Sequence, residues 1–162
     1  MERRSVPGMP MIELTLPQGA LDKPAQDDLM EKLTLTLLRW EGVPEDSEAA
    51  KDVAWGYVDE RPTSNVYHRG RPQPAQPLYR VKITVPERAL DDERKAGVVA
   101  EMTRNILEAE GASADDEAAA MRVWVIVREV ADGNWGGAGR IWRLRDVAKL
   151  VMGGRDREKA PA

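Results

Sequence analysis

Slid against itself, the sequence matches at one offset, 69 residues, and the matches accumulate without a gap. Thr15, Pro17, Ala20, Leu21 and Asp22 fall on Thr84, Pro86, Ala89, Leu90 and Asp91, and Glu41 and Gly42 fall on Glu110 and Gly111. Trp55, Val58 and Glu60 then fall on Trp124, Val127 and Glu129, and Asn65, Gly70 and Arg71 on Asn134, Gly139 and Arg140. One register held over so long a span makes the chain two copies of one supersecondary unit fused head to tail.

Each copy reads as strand, helix, strand and hairpin. Residues 11–16 and 78–85 are short, alternating and partly β-branched, and each run is followed by a proline, as expected of half-buried strands. Asp22 with Pro24, and Asp91 with Asp92 and Glu93, supply a cap and first-turn residues suited to helix N-termini. Leu29, Leu33 and Leu37 in one helix, and Val98, Met102 and Ile106 in the other, give each a single apolar stripe, and Gly42 and Gly111 stand at the C-caps. Second strands are expected near 52–59 and 121–130, parallel to the first strand of each copy because the helix is the only element able to reverse the chain.

The expected fold is α+β: two tandem β-α-β units, residues 10–71 and 78–152, forming a four-stranded sheet with two helices on one face. Residues 1–9 form an N-terminal extension, 72–77 a proline-rich linker, and 153–162 a polar tail expected to be disordered. The other sheet face needs cover, which self-association supplies.

Composition narrows the chemistry. Cysteine is absent and His68 is the sole histidine, which excludes disulfides, thiolate metal sites, a cysteine nucleophile and a multi-histidine centre; no metal or cofactor is expected. The net charge of −4 is spread over mixed-sign segments without a basic stripe, so no nucleic-acid partner is expected. No apolar run is long enough to span a bilayer, so no membrane anchor is expected. The opening MERRSVPG carries two arginines with no apolar segment after them, and a cytoplasmic location is the expectation.

Three stretches carry a resemblance: Met9-Pro10-Met11-Ile12, Thr84-Val85-Pro86-Glu87-Arg88, and Arg128-Glu129-Val130-Ala131-Asp132-Gly133-Asn134-Trp135-Gly136-Gly137-Ala138-Gly139-Arg140. With the repeat, they resemble the tautomerase superfamily in its longer, fused form, over residues 10–150. The resemblance implies a homotrimer of fused chains and a catalytic proline at the mature N-terminus of the first strand, here Pro10, whose secondary amine serves as base and acid. A prolyl nitrogen binds a proton only when nothing precedes it, since inside a chain it is an amide. A free α-amino group titrates near 8, and burial or nearby arginines bring it toward neutrality, where proton transfer is efficient. Nine residues precede Pro10 in the sequence. Translation from Met9 followed by methionine removal frees the amine; a start at Met1 leaves the site silent, and Pro10 then merely opens a strand.

On the same resemblance, Arg88 binds a substrate carboxylate, which a planar guanidinium holds through two parallel hydrogen bonds. Arg122 lies two residues, and so one strand face, from Trp124, where short relatives carry a second arginine; it is a further carboxylate ligand or a surface ion pair. Arg80 and Arg140 are weaker candidates. Trp135 corresponds to an aromatic that walls the proline pocket, or is a hairpin tryptophan buried at a subunit contact; Val66 beside Tyr67 holds the place in the first copy. Tyr79 replaces Pro10 in the second copy, so one chain carries one such site. Asp46 is as far from Pro10 as the acid of malonate semialdehyde decarboxylase is from its proline, although Asp46 also reads as part of a solvated turn. The water-activating glutamate of fused dehalogenases falls near Gly137, which disfavours dehalogenation. His68 is expected on an exposed hairpin, and the Gly136–Gly139 run is a turn rather than a phosphate loop. The expected activity is keto-enol proton transfer on a small 2-oxo or unsaturated carboxylic acid. Decarboxylation of a β-oxo acid, or a non-catalytic trimer whose extension blocks Pro10, are the alternatives.

Overall fold

The computed structural model describes residues 8–44 and 46–158, the stretch 152–158 as backbone alone. The first copy runs β1 (Met11–Pro17), α1 (Lys23–Trp40), α2 (Glu48–Asp52), β2 (Trp55–Arg61) and a hairpin of β3 (Tyr67–His68) and β4 (Arg71–Pro72). The second runs β5 (Tyr79–Pro86), α3 (Asp92–Glu110), α4 (Glu117–Ala120), β6 (Val123–Val130) and a hairpin of β7 (Trp135–Gly137) and β8 (Arg140–Trp142), after which α5 (Leu144–Glu158) closes the chain. The four long strands form one sheet in the order β2-β1-β5-β6. Each copy contributes a parallel pair, and the copies join through antiparallel β1 and β5. This is the α+β architecture read from the repeat.

Local chemistry repeats with the sequence. The Asp22 carboxylate accepts from the Ala25 N–H at 2.9 Å and that of Asp91 from the Arg94 N–H at 2.9 Å, capping α1 and α3. Gly42 and Gly111 end these helices in the left-handed region, at φ 78° and 79°. Both hairpins turn on two successive residues with positive φ, Arg69 and Gly70 in one and Ala138 and Gly139 in the other, the backbone that matches strand twist.

Alternation along the strands decides which face is filled. Ile12, Leu14 and Leu16 of β1 and Tyr79, Val81, Ile83 and Val85 of β5 are buried against the helices, where they meet Leu29, Leu33 and Leu37 of α1 and Val98, Met102 and Ile106 of α3. Each such aliphatic side chain contributes about 1.5–3 kcal/mol when fully buried. The intervening positions face the uncovered side. Trp55, Tyr57, Trp124 and Ile126 there are 63%, 52%, 67% and 43% exposed, around a Lys82–Glu13 ion pair at 2.6 Å.

Two expectations about elements change. The second strands begin at Trp55 and Val123 rather than at 52 and 121, because short helices capped by Ser47 and Asp116 precede them; these caps are themselves repeat counterparts. Residues 153–158, expected to belong to a disordered tail, continue helix α5. Val147 and Val151, one helical turn apart, dock α5 on Leu38, Val43 and Ala50, with Met9, Ala54 and Trp142 around them. Residues 159–162 of the expected tail and 1–7 of the extension lie outside the described residues. Among the described residues no helix is long and apolar enough to cross a membrane.

Candidate active site

The start of β1 and the end of β5 lie side by side, Met11 opposite Thr84, so the residues ahead of β1 run along Pro86. Pro10 is buried, and its carbonyl accepts the Trp55 N–H at 3.1 Å, which fixes it where β1 and β2 begin to pair. Met9 lines a narrow slot together with Pro86, Val130, Trp135, Trp142, Leu144 and Val147. The remaining space is about 10 Å³, no more than one water requires. The slot is held from outside. Trp142 donates from Nε1 to the Gly137 carbonyl at 2.9 Å, the Arg140 guanidinium stacks 4.2 Å from its ring centroid, and Asp132 accepts the Leu144 N–H at 3.0 Å, fastening the start of α5.

Beside the slot lies Glu41, fully buried at the end of α1. A Cβ on Gly8 would lie 2.5 Å from Pro86 Cδ and 2.9 Å from Glu41 Oε1, so the chain passes where only glycine fits. Burial pushes the Glu41 carboxyl up to about 8, while the nearby backbone N–H of Gly8 pulls it the other way.

The second copy holds the counterpart in a different state. Glu110 accepts from the Tyr79 hydroxyl at 2.9 Å and from Arg122 Nη1 at 3.1 Å, and it is also paired with Nη2 of the same guanidinium. Burial and the Glu110 contact together hold the Tyr79 proton well above the usual phenol range. The hydrogen bond to Glu110 likewise raises Arg122. The 69-residue offset puts Pro10 in the place of Tyr79 and Val53 in that of Arg122, so the first copy keeps the acid and changes both of its partners.

Arg88 follows β5 at the Pro10 end. Its φ is 68°, in the left-handed region, where its counterpart Gly19 sits at 80°. An L-residue there costs on the order of 1 kcal/mol. The Arg88 N–H is held by Glu129 Oε1 at 3.1 Å, and Lys95 holds the other oxygen at 3.2 Å, whereas the side chain is 81% exposed. A fixed backbone carries a guanidinium that stands in solvent, its Nε 4.0 Å from Glu87 Oε1.

The other expected residues divide. Trp135 is half-buried and walls the slot. Arg122 and Tyr67 lie elsewhere, in a groove with Arg61, His68, Arg80 and Trp124 at the far end of β1, about 20 Å away at the rise of an extended strand. Arg122 precedes β6 beside Tyr79, while Arg88 follows β5, and parallel strands keep those ends apart. Within one chain, then, Arg122 and Tyr67 do not meet Pro10, and Arg122 is engaged by Glu110 and by the Pro77 carbonyl at 2.9 Å. Asp46 is exposed in the turn before α2 and does not line the slot. Arg80 donates to Thr15 Oγ1 at 3.1 Å, His68 is exposed in β3, and Gly137 lies in β7. Among the described residues no group of three or more His, Asp or Glu is arranged to hold a metal ion.

Sequence reasoning missed Glu41 and the roof formed by Trp142, Leu144 and Val147. A signal for the acid was present: Glu41 and Glu110 recur at the C-terminal ends of helices, where the macrodipole disfavours a carboxylate.

The fold is that of the tautomerase superfamily, as the resemblance implied. The R7 fused 4-OT wild-type asymmetric trimer aligns at TM-score 0.64 and 20% identity, over 81% of this chain and 94% of that one. Pt0534 inactivated by 2-oxo-3-pentynoate aligns at TM-score 0.65 and 17% identity, over 83% and 96%. N1, a member of the cis-3-chloroacrylic acid dehalogenase family, aligns at TM-score 0.64 and 14% identity, over 93% and 92%. No family model and no curated protein matches the sequence.

Proposed function

We propose that this protein is a tautomerase-type enzyme in which Pro10, once it is the chain terminus, moves a proton between carbon and oxygen of a small 2-oxo or unsaturated carboxylic acid. The neutral amine removes the carbon-bound proton, the Arg88 guanidinium holds the carboxylate and stabilises the dienolate, and the prolyl ammonium returns the proton. The observation that carries this reading is the slot at Pro10. A buried proline stands just ahead of the first strand, Met9 before it helps to wall an apolar slot, and an arginine with a held backbone stands at the same end of the sheet. Loss of Gly8 and Met9 would leave an apolar cavity beside a titratable amine. The uncovered sheet face, with its exposed Trp55, Tyr57 and Trp124, supports assembly as a homotrimer, the state of the fused 4-OT aligned above.

The seat of Met9 also favours a second reading, a non-catalytic trimer. While Gly8 and Met9 stay in place, the Pro10 nitrogen is an amide and the slot is closed. An electrophilic probe distinguishes the two. A chain begun at Met9 should lose its methionine and gain one adduct from 2-oxo-3-pentynoate on the peptide starting at Pro10, and a chain begun at Met1 should gain none there. No adduct on Pro10 in the shorter chain would overturn the enzyme reading.

A further inference from the structure

We propose that the groove at the far end of β1 is a second binding site, taking a small aromatic carboxylic acid whose carboxylate is held by Arg69 and Arg80 and whose ring lies against Tyr67 and Trp124. The proposal is independent of the chemistry at Pro10.

The first observation is what lines the groove. It offers about 980 Å³ of space, at the upper end of the roughly 300–1,000 Å³ of small-molecule sites. Among its apolar residues Leu16 and Tyr79 are buried and Val66 and Leu78 half-buried, while Tyr67 and Trp124 present exposed rings. Such rings give a flat apolar body a surface to stack on. The charged side chains of the lining are arginines, with no aspartate or glutamate among them. Arg61 is paired with Asp59 at 2.6 Å, and Arg122 with Glu110. Arg80 donates to the neutral Thr15 Oγ1 at 3.1 Å, and among the described residues neither Arg69 nor Arg80 has a carboxylate partner. Two guanidinium groups are thus left for a ligand, and their planar forks suit a carboxylate. The wall that carries Arg69 is held in shape, because β3 pairs with β4 and the Gln73 N–H donates to the Val66 carbonyl at 3.0 Å.

The second observation is the repeat. At the 69-residue offset Arg61 falls on Val130, Val66 on Trp135 and Tyr79 on Pro10, so the groove stands in the first copy where the slot stands in the second. The slot is roofed by Trp142, Leu144 and Val147, and the first copy has no counterpart of α5 to roof the groove. None of the cationic positions is repeated. Arg61, Arg69, Arg80 and Arg122 stand where the other copy has Val130, Ala138, Met11 and Val53, and His68 where it has Gly137. The shared unit folds without these side chains, so their meeting in the one open concavity is not a requirement of the fold.

His68 makes the test direct, since it lies in the groove and is the sole histidine of the chain. Its imidazole C–H resonance is followed at fixed pH in the full chain begun at Met1, in which Pro10 is an amide, as 2-naphthoate is added. A saturable shift is expected. Arg69→Gln and Arg80→Gln, both at exposed positions, should each weaken the binding by about tenfold or more, as loss of a charged hydrogen bond does. Neutral 2-naphthamide, which needs no variant, should bind weaker than 2-naphthoate by a similar factor. Circular dichroism checks the fold of the variants. No saturable shift up to millimolar 2-naphthoate would overturn the proposal, and would be the result if association of chains through Trp124 and the open sheet face covered the groove. Equal affinity in parent and both variants, or for acid and amide, would also overturn it, because the ring alone would then account for binding.

Discussion

Replacing Arg88 with glycine should stabilise the fold and damage the site. Arg88 holds a φ of 68°, where its repeat counterpart is Gly19. Relief of the left-handed conformation is worth about 1–2 kcal/mol, and the greater freedom of glycine in the unfolded chain takes back about 0.5–1 kcal/mol. The side chain contributes little to set against the difference, since it is 81% exposed and its contact to Glu87 spans 4.0 Å in solvent. The backbone N–H that Glu129 holds is retained. A net gain of about 0.5–1 kcal/mol corresponds to a rise in Tm of roughly 1–4 °C for a chain of this size. Loss of a charged hydrogen bond to substrate, worth about 3 kcal/mol, should lower kcat/KM by about 10² or more. Thermal melts by circular dichroism and enol-ketonisation kinetics, both on a chain with Pro10 exposed, measure the two effects. Unchanged kinetics would remove Arg88 from the site. A fall in Tm would refute the argument that its backbone is held against its own preference.

Glu41 should give the full chain a pH-dependent stability. Its folded carboxyl titrates near 8 against an ordinary value of 4.5, so the folded state keeps a proton that the unfolded chain releases. The stabilisation is fully present below about 4.5 and is lost as pH rises through about 8, so Tm should fall across that window and Glu41→Gln should flatten the fall; parallel curves would contradict it. Gly97→Ala should destabilise by about 1–2 kcal/mol in chemical denaturation despite alanine's better helix propensity, because a methyl there overlaps the Trp40 ring; an unchanged or higher stability would show that α1 and α3 can move apart. Light scattering at micromolar concentration should return about three times 18.0 kDa, whereas a monomer mass would leave the exposed tryptophans of the open sheet face unexplained.

What could be read from the sequence was whatever is periodic. The offset that aligns Thr15 with Thr84 and Trp55 with Trp124 sufficed for two parallel pairs, and the four-residue spacing of Leu29, Leu33 and Leu37 identified the buried stripe of α1. Elements without period were lost. The short helices after Ser47 and Asp116 are four or five residues long, too short for a stripe. Helix α5 docks through Val147 and Val151 and has no counterpart in the first copy. The candidate site was legible only where a single residue marks it. Pro10, Arg88 and Trp135 could be named, and they share one end of the sheet. Arg122 and Tyr67 could not be assigned to the other end without the strand register. Glu41 stayed hidden because a glutamate looks the same in a sequence whether buried or solvated. The backbone of Gly8 passes close against it, a contact that no side-chain motif announces.

The central claim is that a free Pro10 amine does the chemistry, and the two possible starts of the chain test it directly. Ketonisation of phenylenolpyruvate, followed by the loss of enol absorbance, should proceed in the chain begun at Met9 once its methionine is removed. It should be slower by orders of magnitude, or absent, in the chain begun at Met1, where Met9 walls the slot and the proline nitrogen is an amide. Equal rates in the two chains, or no turnover in either across a range of enols and β-oxo acids, would contradict it.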